Sequence, residues 1–242
     1  MKHNKVLVTG GSGGIGRAIA HRLSQDGYQI INLDLVAPSH PEPGEQFIKV
    51  DLMDWQGARQ TLASLANSED VLRIVNNAGF IRPNPLEDTT VEDFQAVVAL
   101  NLKAPMLLAQ MFLPAMRQAK FGRIINISSR VALGKELRTA YGATKAGLLG
   151  MTRTWALEEG ANGVTVNAIG PGPIATELFL SGNPPDSPKT KQIIDTVPVK
   201  RMGEPADIAH AVASLIDDRA GFITGQTLYV CGGMTVGLSH ST

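Results

Sequence analysis

The amino-acid sequence predicts an α/β protein built on one open, doubly wound sheet of seven parallel strands with helices on both faces. Three observations carry that prediction. Short apolar runs rich in Val, Ile and Leu recur without polar alternation, as in Lys5-Val6-Leu7-Val8-Thr9, the pattern of strands buried on both faces. Stretches with apolar residues at helical spacing separate these runs, the first placing Ile15, Ile19 and Leu23 on one face. The first strand also enters its helix through a glycine-rich turn, Gly10-Gly11-Ser12-Gly13-Gly14-Ile15-Gly16.

That turn is the first feature with chemical content. A strand, a glycine turn and a helix in that order form a dinucleotide-phosphate site, because bare backbone can approach a pyrophosphate and the helix amino terminus supplies amide donors and a favourable dipole. Gly10, Ser12, Gly13, Gly14, Ile15 and Gly16 are therefore candidate cofactor contacts. The second strand, Gln29 to Asp34, ends on an acid about 20 residues beyond the turn, where a carboxylate accepts hydrogen bonds from the ribose hydroxyls of NAD and repels the 2′-phosphate of NADP. Asp34 either does this or caps a local turn. With Gly13 where a phosphate-binding base could stand, and no base directly after Asp34, NAD is the expected cofactor.

Residues 35–45 carry Pro38, Pro41 and Pro43, which argues against a crossover helix and for an irregular loop. Gln46 to Asp51 reads as strand three, with Asp51 and Leu52 at the expected adenine end. A helix follows from Trp55 to Ala66, with Trp55, Ala58, Leu62 and Leu65 facing inward. Leu72 to Val75 is strand four and runs into Asn76-Asn77-Ala78-Gly79, a turn expected to be lined with local side-chain hydrogen bonds. A long helix begins at Val91 and continues towards Met116. Asn101 lies within it among Val97, Val98, Leu100 and Leu102, either buried with partners or facing solvent.

Arg123 to Ile127 is strand five, with Ser128 and Ser129 at its carboxyl end, the edge where open α/β sheets bind ligands. A loop carrying Arg130, Lys135 and Arg138 leads to a helix containing Tyr141 and Lys145. Four residues apart, these two lie on one helix face, and an ammonium beside a phenol favours the phenolate. The pair is thus a candidate proton-transfer device. Val164 to Ile169 is strand six, followed by Pro171-Gly172-Pro173-Ile174-Ala175-Thr176. Residues 178–190 have the composition of a mobile lid, and a helix from Pro205 to Ile216 and a strand from Gln226 to Val230 complete the sheet.

Bulk properties exclude several function classes. The 242 residues hold 22 basic and 22 acidic side chains, so no net field draws the chain to nucleic acid or an anionic membrane. No signal-peptide pattern and no membrane-spanning run is read, so a cytoplasmic protein acting on a small-molecule substrate is expected. The one cysteine, Cys231, has no partner for a disulfide or a metal site, and the five histidines are scattered without pairing, so none is assigned a role. With no repeat or linker, residues 1–242 read as a single domain.

Taken together, Thr9-Gly10-x-x-x-Gly14-x-Gly16, Asn76-Asn77-Ala78-Gly79, Asn101, Ser129, Tyr141-x-x-x-Lys145 and Pro171-Gly172 resemble the short-chain dehydrogenase/reductases over nearly the whole chain. Arg201-Met202-Gly203-Glu204-Pro205 adds likeness to the 3-oxoacyl-acyl-carrier-protein reductase branch. The resemblance implies a single-domain Rossmann fold and a homotetramer built on the long helices near Val91 and Ala140. It also implies Tyr141 as acid/base, Lys145 lowering the Tyr141 pKa and holding the nicotinamide ribose, and Ser129 bonded to the substrate oxygen. Asn101 would hold a proton relay behind Lys145 through a water. Asn77, Ala78, Gly79, Pro171, Gly172, Ile174 and Thr176 would line the nicotinamide half of the cofactor.

The sequence departs from that pattern in its proline-rich 35–45 connection, in a loop before Tyr141 that is one residue short, and at Cys231, where an acid is usual. Counting back from Tyr141 selects Ser128, whereas the strand motif Asn126-x-x-Ser129 selects Ser129 and is preferred. The expected reaction interconverts a secondary alcohol and a ketone with NAD, on an acidic substrate received by Arg130 or Arg138. The alternatives are a 3-oxoacyl-thioester reductase and a non-catalytic NAD sensor.

Overall fold

A computed structural model describes residues 4–68 and 70–237; His3 and His240 lie outside the described residues. Seven parallel strands form one sheet in the order β3-β2-β1-β4-β5-β6-β7. They are β1 (Lys5–Thr9), β2 (Gln29–Asp34), β3 (Gln46–Lys49), β4 (Val71–Asn76), β5 (Gly122–Ile127), β6 (Val164–Pro171) and β7 (Thr227–Val230). The strand order reverses between β1 and β4, which opens a crevice at the strands' carboxyl ends. β4, β5 and β6 are buried along their whole length. Burial of both pleat faces reflects helices on both sides of the sheet rather than one.

The helices are α1 (Gly14–Gln25), α2 (Trp55–Asn67), α3 (Val91–Val98), α4 (Ala104–Ala119), α5 (Thr139–Glu159), α6 (Glu177–Gly182), α7 (Pro188–Asp195) and α8 (Pro205–Ile216). One face of the sheet packs Val6, Val8, Ile125 and Ile169 against Ile19 and Leu23 of α1 and Ile208, Val212 and Ile216 of α8. The other packs Leu7, Leu72, Ile74 and Ile124 against Leu62 of α2 and Leu108 and Phe112 of α4. Trp55 and Leu65 are only partly buried at that layer's rim.

Three expectations need correction. The helix expected from Val91 is interrupted by a π-helical turn, Ala99–Lys103, centred on Asn101. The 91–119 stretch is also long and apolar enough to cross a membrane by length and composition, contrary to the sequence reading. Here its apolar side packs on the sheet. Residues 178–190 are not an open loop, because Thr176 caps α6 through Phe179 N–H at 3.2 Å and Ser187 caps α7 through Thr190 N–H at 3.1 Å.

At the strands' amino ends, opposite the crevice, lies a second polar centre. Arg73 is 1% exposed, with its guanidinium 5.2 Å from the Tyr28 ring centre and 4.6 Å from that of Phe121. Arg123, its register neighbour on β5, lies 4.3 Å from the same Phe121 ring. Backbone oxygens of Ile216, Asp217 and Asp218 and the Asp218 carboxylate accept from the two arginines. Two buried cations are thereby satisfied, and the end of α8 is tied to the sheet.

Candidate active site

The glycine turn has the form a dinucleotide requires. Gly10 and Gly14 have φ of 66° and 51°, left-handed values that favour glycine. A Cβ on Gly16 would lie 1.9 Å from the Gly10 carbonyl oxygen, so a side chain there would prevent α1 from packing against the turn. The residue capping α1 is Gly13, which carries no side-chain cap. The first-turn amides are left without a capping side chain, and a Cβ on Gly13 would meet nothing within 4 Å. These features fit a bound pyrophosphate.

Other expected cofactor contacts gather around this turn. Thr9 Oγ1 accepts from the Asn77 and Ala78 N–H groups, both at 2.9 Å, and Asn77 Nδ2 donates to Thr9 and Gly10 oxygens. This closes β4 onto β1. A Cβ on Gly14 would approach Thr176 Cγ2 to 3.5 Å, so the segment after β6 faces the turn. Ile174 is buried, and its backbone bridges to Gly203. Pro171 ends β6, and Gly172 N–H donates to the Val230 oxygen at 2.9 Å.

Asp34 both serves its own loop and faces the turn. Its Oδ1 accepts from Leu35 N–H at 2.7 Å, while Oδ2 accepts from Ser12 N–H at 3.1 Å. Asp51 accepts from Met53 N–H at 2.8 Å, and Leu52 is buried. Leu35, Val36 and Met53 are exposed beside these two acids, an apolar border suited to a flat base.

The proton-transfer candidates meet where β5 hands over to α5. Lys145 is buried and donates to the Ile127 oxygen at 2.7 Å. Ser128 Oγ donates to the Lys145 oxygen at 2.7 Å, so that serine faces the helix backbone. Ser129 accepts from Val131 N–H at 3.1 Å and reaches the Tyr141 phenol. The geometry thus favours Ser129 over Ser128 as the hydroxyl beside Tyr141.

Asn101 is fully buried in the π turn, which settles its orientation. Its Oδ1 accepts from Phe80 N–H at 3.0 Å, and its Nδ2 donates to the Phe80 oxygen at 2.9 Å. A Cβ on Gly79 would lie 3.0 Å from Asn101 Oδ1 and 3.5 Å from Lys145 Nζ. Asn101 and Lys145 therefore point at the same face of Gly79. The extra residue of a π turn, a feature frequent at functional sites, is what rotates Asn101 inward.

The electrostatics differ from the expectation for the tyrosine–lysine pair. Burial, the larger influence, pushes the Tyr141 pKa up, while the Ser129 hydrogen bond and the Arg138 charge oppose it. Lys145 Nζ stands 5.5 Å from the Tyr141 ring centre, and burial lowers its own pKa to about 8. With a pKa of about 8 Lys145 is still mostly an ammonium at pH 7, yet Ser129 and Arg138 are the groups that oppose burial at the phenol and favour its ionisation. Of the two proposed substrate arginines, Arg138 acts on the phenol. Arg130 instead joins Arg138 and Lys189 in lowering the Lys135 pKa, after burial. Lys189 on α7 is a further cation whose charge reaches Lys135, and the sequence reading missed it, since no local signal relates α7 to this loop. Among the described residues no cluster of His, Cys, Asp or Glu could hold a metal.

Comparison with known proteins decides the family. The enoyl-(acyl carrier protein) reductase family model matches residues 10–235. An acetoacetyl-CoA reductase from Shinella zoogloeoides is 38% identical over 234 residues, covering 94% of this chain and 96% of the relative. The chain belongs to the short-chain dehydrogenase/reductase family. A 3-oxoacyl-[acyl-carrier-protein] reductase from Rickettsia conorii is also 38% identical, over 94% of this chain and 95% of its own. Among solved structures, a candidate NAD(P)-dependent gluconate 5-dehydrogenase from Beutenbergia cavernae with bound NADP superposes with a TM-score of 0.90. It is 29% identical and covers 98% of both chains. The protein is thus an oxidoreductase of the short-chain type, acting on hydroxyl and keto groups.

Proposed function

We propose that this short-chain dehydrogenase/reductase interconverts a 3-oxoacyl thioester and the corresponding 3-hydroxyacyl thioester, using NAD(H). The observation that carries the reading is the meeting of Ser129 and Tyr141 at the carboxyl end of β5, with Lys145 and Asn101 converging on Gly79 behind them. A bound nicotinamide dinucleotide supplies or accepts the hydride. In the reductive direction Ser129 donates a hydrogen bond to the substrate carbonyl oxygen, and Tyr141 passes it the phenolic proton. Charge on that oxygen is met by donors already in place. In the oxidative direction Tyr141 takes the proton back, helped by the Ser129 bond and the Arg138 charge.

Relatives named for acetoacetyl-CoA and 3-oxoacyl carrier-protein substrates support the thioester class. The cations Arg130, Lys135, Arg138 and Lys189 beside the site suit the anionic carrier of such a substrate. Asp34 and the absence of a base at Gly13 support NAD over NADP. An acidic hydroxy or oxo acid is a second reading, favoured by Arg138 acting on the phenol itself. Spectrophotometric assays of 3-oxoacyl-CoA, 3-hydroxyacyl-CoA and sugar acids with both cofactors separate the two. Turnover of sugar acids without turnover of thioesters overturns the first reading, and NADH binding without turnover of any substrate favours the sensor. Assembly as a homotetramer through the 91–119 and α5 helices belongs to the same proposal; Val91 and Phe94 on α3 are exposed in the single chain. Elution of a monomer in gel filtration refutes it.

A further inference from the structure

The proline-rich connection between β2 and β3 carries a carboxylate to an unexpected place. Glu45 is fully buried at its side chain, and its two oxygens hold the Arg17 fork at 3.1 and 2.9 Å. The same carboxylate accepts from Asn32 Nδ2 at 2.9 Å and from the Glu42 N–H at 2.7 Å. Glu42 itself lies 3.6 Å from Arg17. Asn32 Nδ2 also donates to Ser12 Oγ at 3.0 Å, and Ser12 N–H donates to Asp34. One hydrogen-bonded path thus runs from Arg17 on the first turn of α1, through Glu45 and Asn32, to the face that meets the adenosine ribose.

Two atoms in this cluster, Arg17 Nε and Asn32 Oδ1, are buried without a hydrogen-bond partner. A polar cluster kept despite such a cost points to a role beyond stability. We propose that Glu45 is a specificity-determining positioning residue, one that confines the Arg17 guanidinium and so denies it to an adenosine 2′-phosphate. Asp34, Glu42 and Glu45 then set three carboxylates against one guanidinium around the ribose edge. A doubly charged phosphate meets net repulsion there, and a ribose diol meets acceptors. This rests on the NAD reading above and extends it to residues outside the ribose contact.

The test titrates NADH and NADPH into the purified full chain and reads the ratio of their dissociation constants by nucleotide fluorescence. Glu45→Gln shifts that ratio towards NADPH by about tenfold, and Glu42→Gln, with little risk to the fold, by about threefold, as expected for one charge removed near a phosphate. Arg17→Met combined with Glu45→Gln returns the ratio to the wild-type value. General destabilisation weakens both cofactors alike and leaves the ratio where it was. An unchanged ratio in both single variants overturns the proposal, as does a gain that survives in the double variant. Wild-type protein that prefers NADPH overturns the NAD reading instead, since the proposal is read from the change in ratio; Asp34→Ala serves as the reference shift.

Discussion

Replacing Lys145 with Met should abolish turnover and stabilise the fold. Lys145 is 4% exposed, and burial lowers its pKa from 10.5 to about 8. Each tenfold loss of proton affinity is worth about 1.4 kcal/mol, so holding the ammonium in the folded chain at pH 7 costs about 3 kcal/mol. The sign follows from linkage. Between pH 8 and 10.5 the unfolded chain binds more protons than the folded one, so this cost is present in full below pH 8 and fades as pH rises towards 10.5. Met fills a similar volume without charge and forfeits the bond to the Ile127 oxygen, a loss of about 1 kcal/mol. The net gain of about 2 kcal/mol at pH 7 raises Tm by about 4–8 °C for a chain of this size. Differential scanning calorimetry at pH 7 and pH 10 reads both parts, and a coupled assay should show turnover reduced by at least about 100-fold. A variant that melts below wild type at pH 7, or whose advantage persists undiminished at pH 10, refutes the reasoning.

Ser129→Ala should lower kcat by about 100-fold or more and move the pH profile of alcohol oxidation to higher pH, because it removes the hydrogen bond that opposes burial at Tyr141. A profile that keeps its position would show the phenol to be set by other groups. Ser128→Ala, which frees only the Lys145 carbonyl, should retain most turnover, and a loss equal to that of Ser129→Ala would reverse the choice between the two serines. Asn101→Ala strands the Phe80 N–H and C=O groups and should lower unfolding free energy by about 2 kcal/mol in urea. Phe121→Ala removes the ring shared by Arg73 and Arg123; a loss of about 3 kcal/mol is expected, and a change under about 1 kcal/mol would show the arginines held by their carbonyl partners alone.

Most of the sheet was legible because buried parallel strands are dominated by Val, Ile and Leu, and β4, β5 and β6 keep that character despite Arg73, Arg123, Asn126 and Asn167. The glycine turn was legible because backbone geometry there excludes side chains, at Gly16 most severely. What stayed hidden depends on contacts between distant segments. Helical spacing cannot register one extra residue in a turn, so the π turn that swings Asn101 inward left no periodic signal. Proline spacing correctly denied a helix at 35–45 but gave no hint that Glu45 would meet Arg17, 28 positions earlier in the chain. The caps of α6 and α7 were written in Thr176 and Ser187, yet a composition rich in Pro, Ser and Gly masked two short helices.

The site is organised less by the tyrosine–lysine spacing than by the end of β5, where successive residues each hold a partner on α5. Asn126 donates to Thr152 at 2.9 Å, the Ile127 oxygen receives Lys145, Ser128 holds the Lys145 carbonyl, and Ser129 reaches Tyr141. Asn76 on β4 extends this ladder by donating to Asn126 at 2.8 Å. Each of these polar groups is costly to bury alone and satisfied only when α5 sits in one register. A one-residue slip of α5 would leave Asn126 without Thr152 and Lys145 without its carbonyl. The penalty for losing both fixes the phenol and ammonium at the crevice.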